Sequence, residues 1–256
     1  MAEEEGGNVK KVIFLSIVLA VFFLMGCNNS DNTGNPGKEE NKPGEDISSV
    51  INSKGGQNSA EFVPDWLYQS LLAKFDLDAE NDLELPREAI TLVRVNMKNS
   101  AGPQIAAYLT LNRVEGYFLL YEFAEGNYKE VYSLHQPVYG LQVYGGWGGK
   151  QMIAFVSGHG GTGYQENYFH LISYTKDGYK EIWSGLAEKM EFVQLPYRRT
   201  VGSLNLSMDN QLLIYSTINH EYAKPEEDIT NPDRVAKSVE LYRYDPQAEQ
   251  FAASSN

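Results

Sequence analysis

Gln104-Ile105-Ala106-Ala107-Tyr108-Leu109-Thr110 and Gln151-Met152-Ile153-Ala154-Phe155-Val156-Ser157 write one pattern twice, and Gln211-Leu212-Leu213-Ile214-Tyr215-Ser216-Thr217 writes it again. Fifty-one residues separate a second matching pair, Tyr117-Phe118-Leu119-Leu120-Tyr121 and Tyr168-Phe169-His170-Leu171-Ile172. That match runs without a gap into Tyr128-Lys129-Glu130-Val131-Tyr132-Ser133 and Tyr179-Lys180-Glu181-Ile182-Trp183-Ser184. Seven of the 17 paired positions are identical, too many for shared β composition alone. Val239 to Tyr244 opens a third copy that closes at Phe251. Ahead of each glutamine sits a short alternating run, with Val93 and Val95, Leu141 and Val143, and Leu204 and Leu206. β-Branched and aromatic residues fill these runs, and Gly126, Gly178 and Asp245-Pro246 mark tight turns between the last two of each set.

The expectation is therefore a mainly β fold of three repeated four-stranded antiparallel units. Leu120, Leu171 and Leu241 fall in one column, and Tyr121, Ile172 and Tyr242 fill the opposite face. Strands apolar on both faces want cover on both sides, so the units must stack. The pattern resembles blades of a β-propeller, which implies a propeller-like stack; a threefold β-trefoil or β-prism is the alternative. One short helix precedes the units. Trp66, Leu67, Leu71, Leu72 and Phe75 recur at helical spacing behind Pro64 and Asp65, a proline and an acid suited to a first turn.

Loops between the second and third strands differ in length, and loops carry function more than strands do. In the second copy this stretch is Gly158 to Asn167, with His159 and Tyr164 among glycines. In the third it is Ile218 to Ser238, an acidic insertion with Glu221, Glu226, Glu227, Asp228 and Asp233. Both leave from the same topological position, which predicts that they meet at one edge. Trp147, flanked by glycines, has little local core to enter and suits a carbohydrate or peptide contact. The candidate binding residues are Trp147, His159, Tyr164, Glu226, Glu227 and Asp228.

Catalytic and metal signatures do not assemble. The glycines at 158–163 lack the lysine and following helix of a phosphate loop, and Ser157 precedes them instead of standing in GxSxG. His170 aligns with Leu119 and Glu240, a tolerant column that predicts a rim position. The four histidines are scattered, so no zinc site, no other metal and no cofactor is expected. Asp76 to Glu84 holds five carboxylates, but an EF-hand counted from Asp76 meets Asn81 and Arg87 where it needs glycine and glutamate. It reads as a solvated acidic connector. A net charge of −13 argues against nucleic acid as a partner.

The chain's start sets its place in the cell. Lys10 and Lys11 precede Val12 to Met25, an apolar run broken only by Ser16, and Leu24-Met25-Gly26-Cys27 closes it. Fourteen residues at ~1.5 Å each reach ~21 Å, short of a ~30 Å hydrocarbon core, which fits a signal peptide and not a spanning helix. The closing tetrad resembles the lipobox of bacterial lipoproteins. That resemblance implies a lipid on the Cys27 thiol, cleavage after Gly26 and anchoring on the extracytoplasmic face of the cell membrane. Cys27 is the only cysteine, so no disulfide framework is available. Residues 27–60 are polar and low in apolar content, which predicts a disordered tether with a reach of ~30 Å. The expected organisation is a signal peptide over 1–26, the tether over 27–60 and the β-repeat domain over 61–256. The function expected is a membrane-anchored, non-catalytic binding module for a protein, peptide or glycan. The alternative is an extracytoplasmic hydrolase with its site at the loop rim.

Overall fold

Pro64 starts the only α-helix among the described residues, and the reason is local. The computed structural model describes residues 63–75, 85–98, 102–146, 149–207, 211–224 and 231–254. The chain divides into two units, Met1–Pro43 and Gly44–Asn256, and every described residue belongs to the second. The signal peptide, Cys27, the tether and the acidic connector lie outside the described residues, as do Trp147, Glu226, Glu227 and Asp228.

Helix α1 is Asp65–Lys74. The Pro64 carbonyl accepts the N–H groups of Leu67 and Tyr68 at 3.1 and 3.0 Å, so a residue without its own N–H costs nothing there. Asp65 adds a charge of the favourable sign at this end and meets Arg87 at 2.8 Å. Leu67 and Leu71, one helical turn apart, are fully buried. They pack with Ala107, Leu109, Leu119 and Tyr121 in one apolar cluster, with Trp66 stacked on Tyr128 at 4.6 Å.

Twelve strands follow. β1 (Thr91–Val95), β2 (Gln104–Thr110), β3 (Gly116–Ala124) and β4 (Asn127–His135) form an antiparallel sheet in chain order. The second sheet has eight antiparallel strands, again in chain order. They are β5 (Val138–Gly145), β6 (Gln151–Gly161), β7 (Tyr164–Thr175), β8 (Gly178–Glu191), β9 (Tyr197–Ser207), β10 (Leu212–Tyr222), β11 (Arg234–Asp245) and β12 (Gln250–Ala253). Neither sheet closes on itself, so the barrel of a β-trefoil is not formed.

Period-two alternation places the core. On β3, Leu119 and Tyr121 face α1, whereas Phe118 and Leu120 face a second cluster with Val138, Ile153, Phe155 and Ile172. Phe118 and Phe155 stack at 4.3 Å across the two sheets. A third cluster joins Met152, Leu171 and Trp183 to Leu213, Tyr215 and Phe251. Leu241 departs from its column: Leu120 and Leu171 are fully buried, but Leu241 is 41% exposed because no element covers that side of β11 among the described residues.

The turns obey local chemistry. Gly126 and Gly178 have φ of +83° and +103°, a region closed to most L side chains. The Asp245 carboxylate accepts the Gln247 and Ala248 N–H groups at 2.8 and 3.3 Å, which closes the corresponding turn without glycine.

Candidate functional site

The glycine-rich stretch 158–167 is not an irregular loop. β6 and β7 stay paired to their ends, Ser157 against Tyr168, His159 against Glu166 and Gly161 against Tyr164. A Cβ on Gly158 would lie 2.1 Å from the Glu166 carbonyl oxygen, so glycine there permits close strand approach. Both ends of the insertion 218–238 are strand: β10 and β11 pair from Leu212–Arg243 out to Glu221–Arg234.

These two long hairpins lie in one sheet, and β8 and β9 bridge them. Registers align His159, Glu166, Lys189, Thr200, Asn219 and Ala236 in one row across six strands. The next row on the same face is Gly161, Tyr164, Glu191, Arg198, Glu221 and Arg234. The strand-bound parts of both stretches thus lie at one end of the sheet, with β8 and β9 between them. His159 is exposed, and its ring lies 6.2 Å from that of Tyr164. The β8–β11 parts of the rows line a concavity of about 270 Å³ bounded by Lys189, Glu191, Arg198, Asn219, Glu221 and Arg234, and His159 and Tyr164 lie outside that lining.

Charge alternates across it. Lys189 meets Glu191 at 3.0 Å and Glu166 at 3.9 Å, and Arg198 stands 3.7 Å from Glu221. The phenols of Tyr164 and Tyr168 both donate to Glu166. The Tyr164 bond is the largest influence and holds the Glu166 carboxyl below the usual range, helped by Tyr168, Lys189 and His159 against a smaller opposing effect of burial. The hydrogen bond to Glu191 likewise raises Lys189. Beside Thr200, whose hydroxyl donates to Asn219 Oδ1 at 2.6 Å, the floor is polar. Arg234 makes no ion pair among the described residues. The arrangement offers several ionic contacts with both signs on a shallow surface, which suits recognition of a polar partner surface.

Sequence reasoning missed Lys189, Glu191, Arg198 and Arg234. Their signal is faint: polar side chains two apart on each side of Pro196, Lys189 and Glu191 before it, Arg198 and Thr200 after it. Of the insertion's carboxylates, Glu221 faces Arg198, and Asp233 accepts the Ala223 N–H at 2.7 Å.

His170 is corrected. It is 9% exposed, not at a rim, and stacks on Phe155 at 4.8 Å. Its Nδ1 lies 2.5 Å from Glu181 Oε2 and its Nε2 2.8 Å from Ser157 Oγ. The sequence of groups is that of an acid–histidine–serine relay, but two features oppose nucleophilic use. Ser157 is fully buried, and its hydroxyl donates to Gln136 Oε1 at 2.7 Å, whereas an activated serine donates to the imidazole. Burial pushes Glu181 up, and the His170 and Ser184 hydrogen bonds outweigh it, leaving the carboxyl below its ordinary value. The trio ties β4–β5, β6, β7 and β8 together at the sheet–sheet contact.

Among the described residues, no group of three or more His, Cys, Asp or Glu side chains is placed to hold a metal ion. No described helix is long and apolar enough to cross a membrane. No family model, curated protein or solved structure matches the chain.

Proposed function

We propose that the protein is a bacterial lipoprotein, anchored through Cys27 on the extracytoplasmic face of the cell membrane, that binds a protein, peptide or glycan partner at the charged end of its large sheet. The single observation that carries the binding site is the pair of registered rows from His159 and Gly161 to Ala236 and Arg234. Strand pairing fixes the backbone that carries these polar side chains, so little backbone entropy remains to be lost when a partner docks. The Leu24–Cys27 tetrad supports the anchor. Trp147, Glu226, Glu227 and Asp228 are the further contacts that the sequence adds.

The finer architecture belongs to the same proposal: β1–β4, β5–β8 and β9–β12 are three four-stranded units in a propeller-like stack. Its support is the series of three apolar clusters, one under α1, one joining β2 and β3 to β6 and β7, and one joining β6–β8 to β10 and β12.

The test is crosslinked capture from intact cells with the full chain and with Arg198→Glu. Reversing the charge that faces Glu221 should cut capture of the specific partner at least tenfold while the melting curve stays within a few degrees. Unchanged capture by a folded variant would remove the site from this face.

A further inference from the structure

β11 borders the concavity, and its outer edge is open. β12 pairs only with Tyr242–Asp245, and Ser254 N–H reaches back to the Leu241 carbonyl at 2.8 Å. Arg234–Leu241 are all exposed, with Val239 at 71%. Among the described residues no strand pairs with this edge. The direction of its backbone groups follows from two bonds. Leu241 C=O points to the β12 side, whereas Tyr244 N–H points back to Gln211 beside β10 at 2.9 Å. Backbone groups alternate along a strand, so Val235, Lys237 and Val239 direct N–H and C=O outward, and Ala236, Ser238 and Glu240 direct theirs to β10. An edge of this kind is a template for strand addition.

We infer that Arg234–Glu240 is a strand-addition site for an extended segment of a partner protein that carries carboxylates opposite Arg234 and Lys237 and apolar side chains opposite Val235 and Val239. This rests on the proposed binding role of the same sheet end and selects a peptide segment over a glycan. Charge complementarity chooses the occupant. Lys189, Arg198 and Arg199 have carboxylate neighbours, but Arg234 and Lys237 make no ion pair among the described residues. They sit on opposite faces of one strand, so a single added strand reaches both. A second copy paired about a two-fold axis through Lys237 would set Arg234 opposite Glu240, which already accepts the Tyr242 hydroxyl, but it would set the two lysines face to face and leave Lys237 without a carboxylate. Side chains of the added strand on the Arg234 face would continue the concavity wall formed by Arg234 and Ala236.

Two peptides probe this: acetyl-Val-Thr-Glu-Thr-Val-Glu-amide, written to run antiparallel from Val239 to Arg234, and its counterpart with lysine for glutamate. Amide exchange is followed in the full chain. The glutamate peptide should slow exchange at Val235, Lys237 and Val239 at least tenfold, and the lysine peptide should not. Val239→Pro removes an outward N–H and leaves the β10 ladder its donors, so it should abolish that protection. Arg234→Glu with Lys237→Glu should reverse the preference between the peptides, which keeps the test valid if the proline variant does not fold. No protection at the three amides, equal protection by both peptides, or edge amides already protected by self-association would overturn the inference. Loss of cellular capture in Arg198→Glu but not in Val239→Pro would uphold the concavity and reject the edge; the converse would uphold the edge and reject the concavity.

Discussion

Three glycines in one hairpin, each changed to alanine, test whether β6 and β7 are paired out to their ends. At Gly158 the new Cβ would meet Glu166 O at 2.1 Å, Asn167 Oδ1 at 2.4 Å and Asn167 Cα at 2.6 Å. Two of these atoms are backbone, so the strands themselves must part by about 1 Å to reach ordinary contact near ~3.4 Å. Overpacking of this kind costs ~1–3 kcal/mol, and loosening one ladder hydrogen bond adds ~1 kcal/mol. About 3 kcal/mol is the working figure, which at ~2–4 °C per kcal/mol lowers Tm by roughly 6–12 °C. At Gly160 the nearest atom is Tyr164 O at 3.0 Å and the next two lie at 3.3 Å, so the neighbours give a few tenths of an ångström and the cost stays below ~1 kcal/mol. At Gly161 nothing lies within 4 Å, and alanine stabilises by ~0.4–1 kcal/mol through the unfolded chain. Urea and thermal denaturation of the full chain should therefore rank the variants 161 above wild type, then 160, then 158. A glycine-rich loop without pairing would tolerate all three alike. Equal stabilities would refute the hairpin and, with it, the row that runs from His159 to Ala236.

Ser157→Ala should cost ~1–3 kcal/mol in urea denaturation, since it strips a partner from buried His170 and from Gln136; no loss would mean that the trio bears no strain of the sheet–sheet contact. The Glu166 carboxyl is held below its unfolded value, ~4.3, so its contribution is complete above that pH and is lost as pH falls through the lower folded value. The stability gap between wild type and Glu166→Gln should accordingly shrink in acid, and a gap constant from pH 7 to pH 3 would refute the Tyr164–Glu166–Lys189 network. Cys27→Ala should abolish acylation; continued partition of the processed variant into detergent like wild type would sink the lipid anchor.

The strands were legible because alternation and internal matching report on them directly. Phe118 and Leu120 beside Leu119 and Tyr121 announce a strand covered on both faces, and the structure supplies α1 on one side and Phe155 with Ile153 on the other. The same logic misplaced two features for the same physical reason: pairing is non-local. His159 to Gly163 looks like a loop because glycine has poor strand propensity, yet the neighbouring backbone at Glu166 and Asn167 approaches so closely that only glycine fits at 158. His170 looks tolerant in its column because Leu119 and Glu240 fill the aligned places, but its surroundings are decided by Ser157 and Glu181, thirteen residues before it and eleven after it. The charged rows were hidden by distance in sequence. Tyr164, Glu191, Arg198, Glu221 and Arg234 become neighbours only when four hairpins are registered together, and no local window contains more than two of them. Their charges are also the part of the site that composition misleads most. A chain of net charge −13 presents, at the rim of its large sheet, an edge whose cations Arg234 and Lys237 make no ion pair among the described residues. Screening confines each exposed charge to ~8 Å in physiological salt, so a docking segment responds to those two cations and to Glu221 and Glu240 beside them, and not to the sum over the chain.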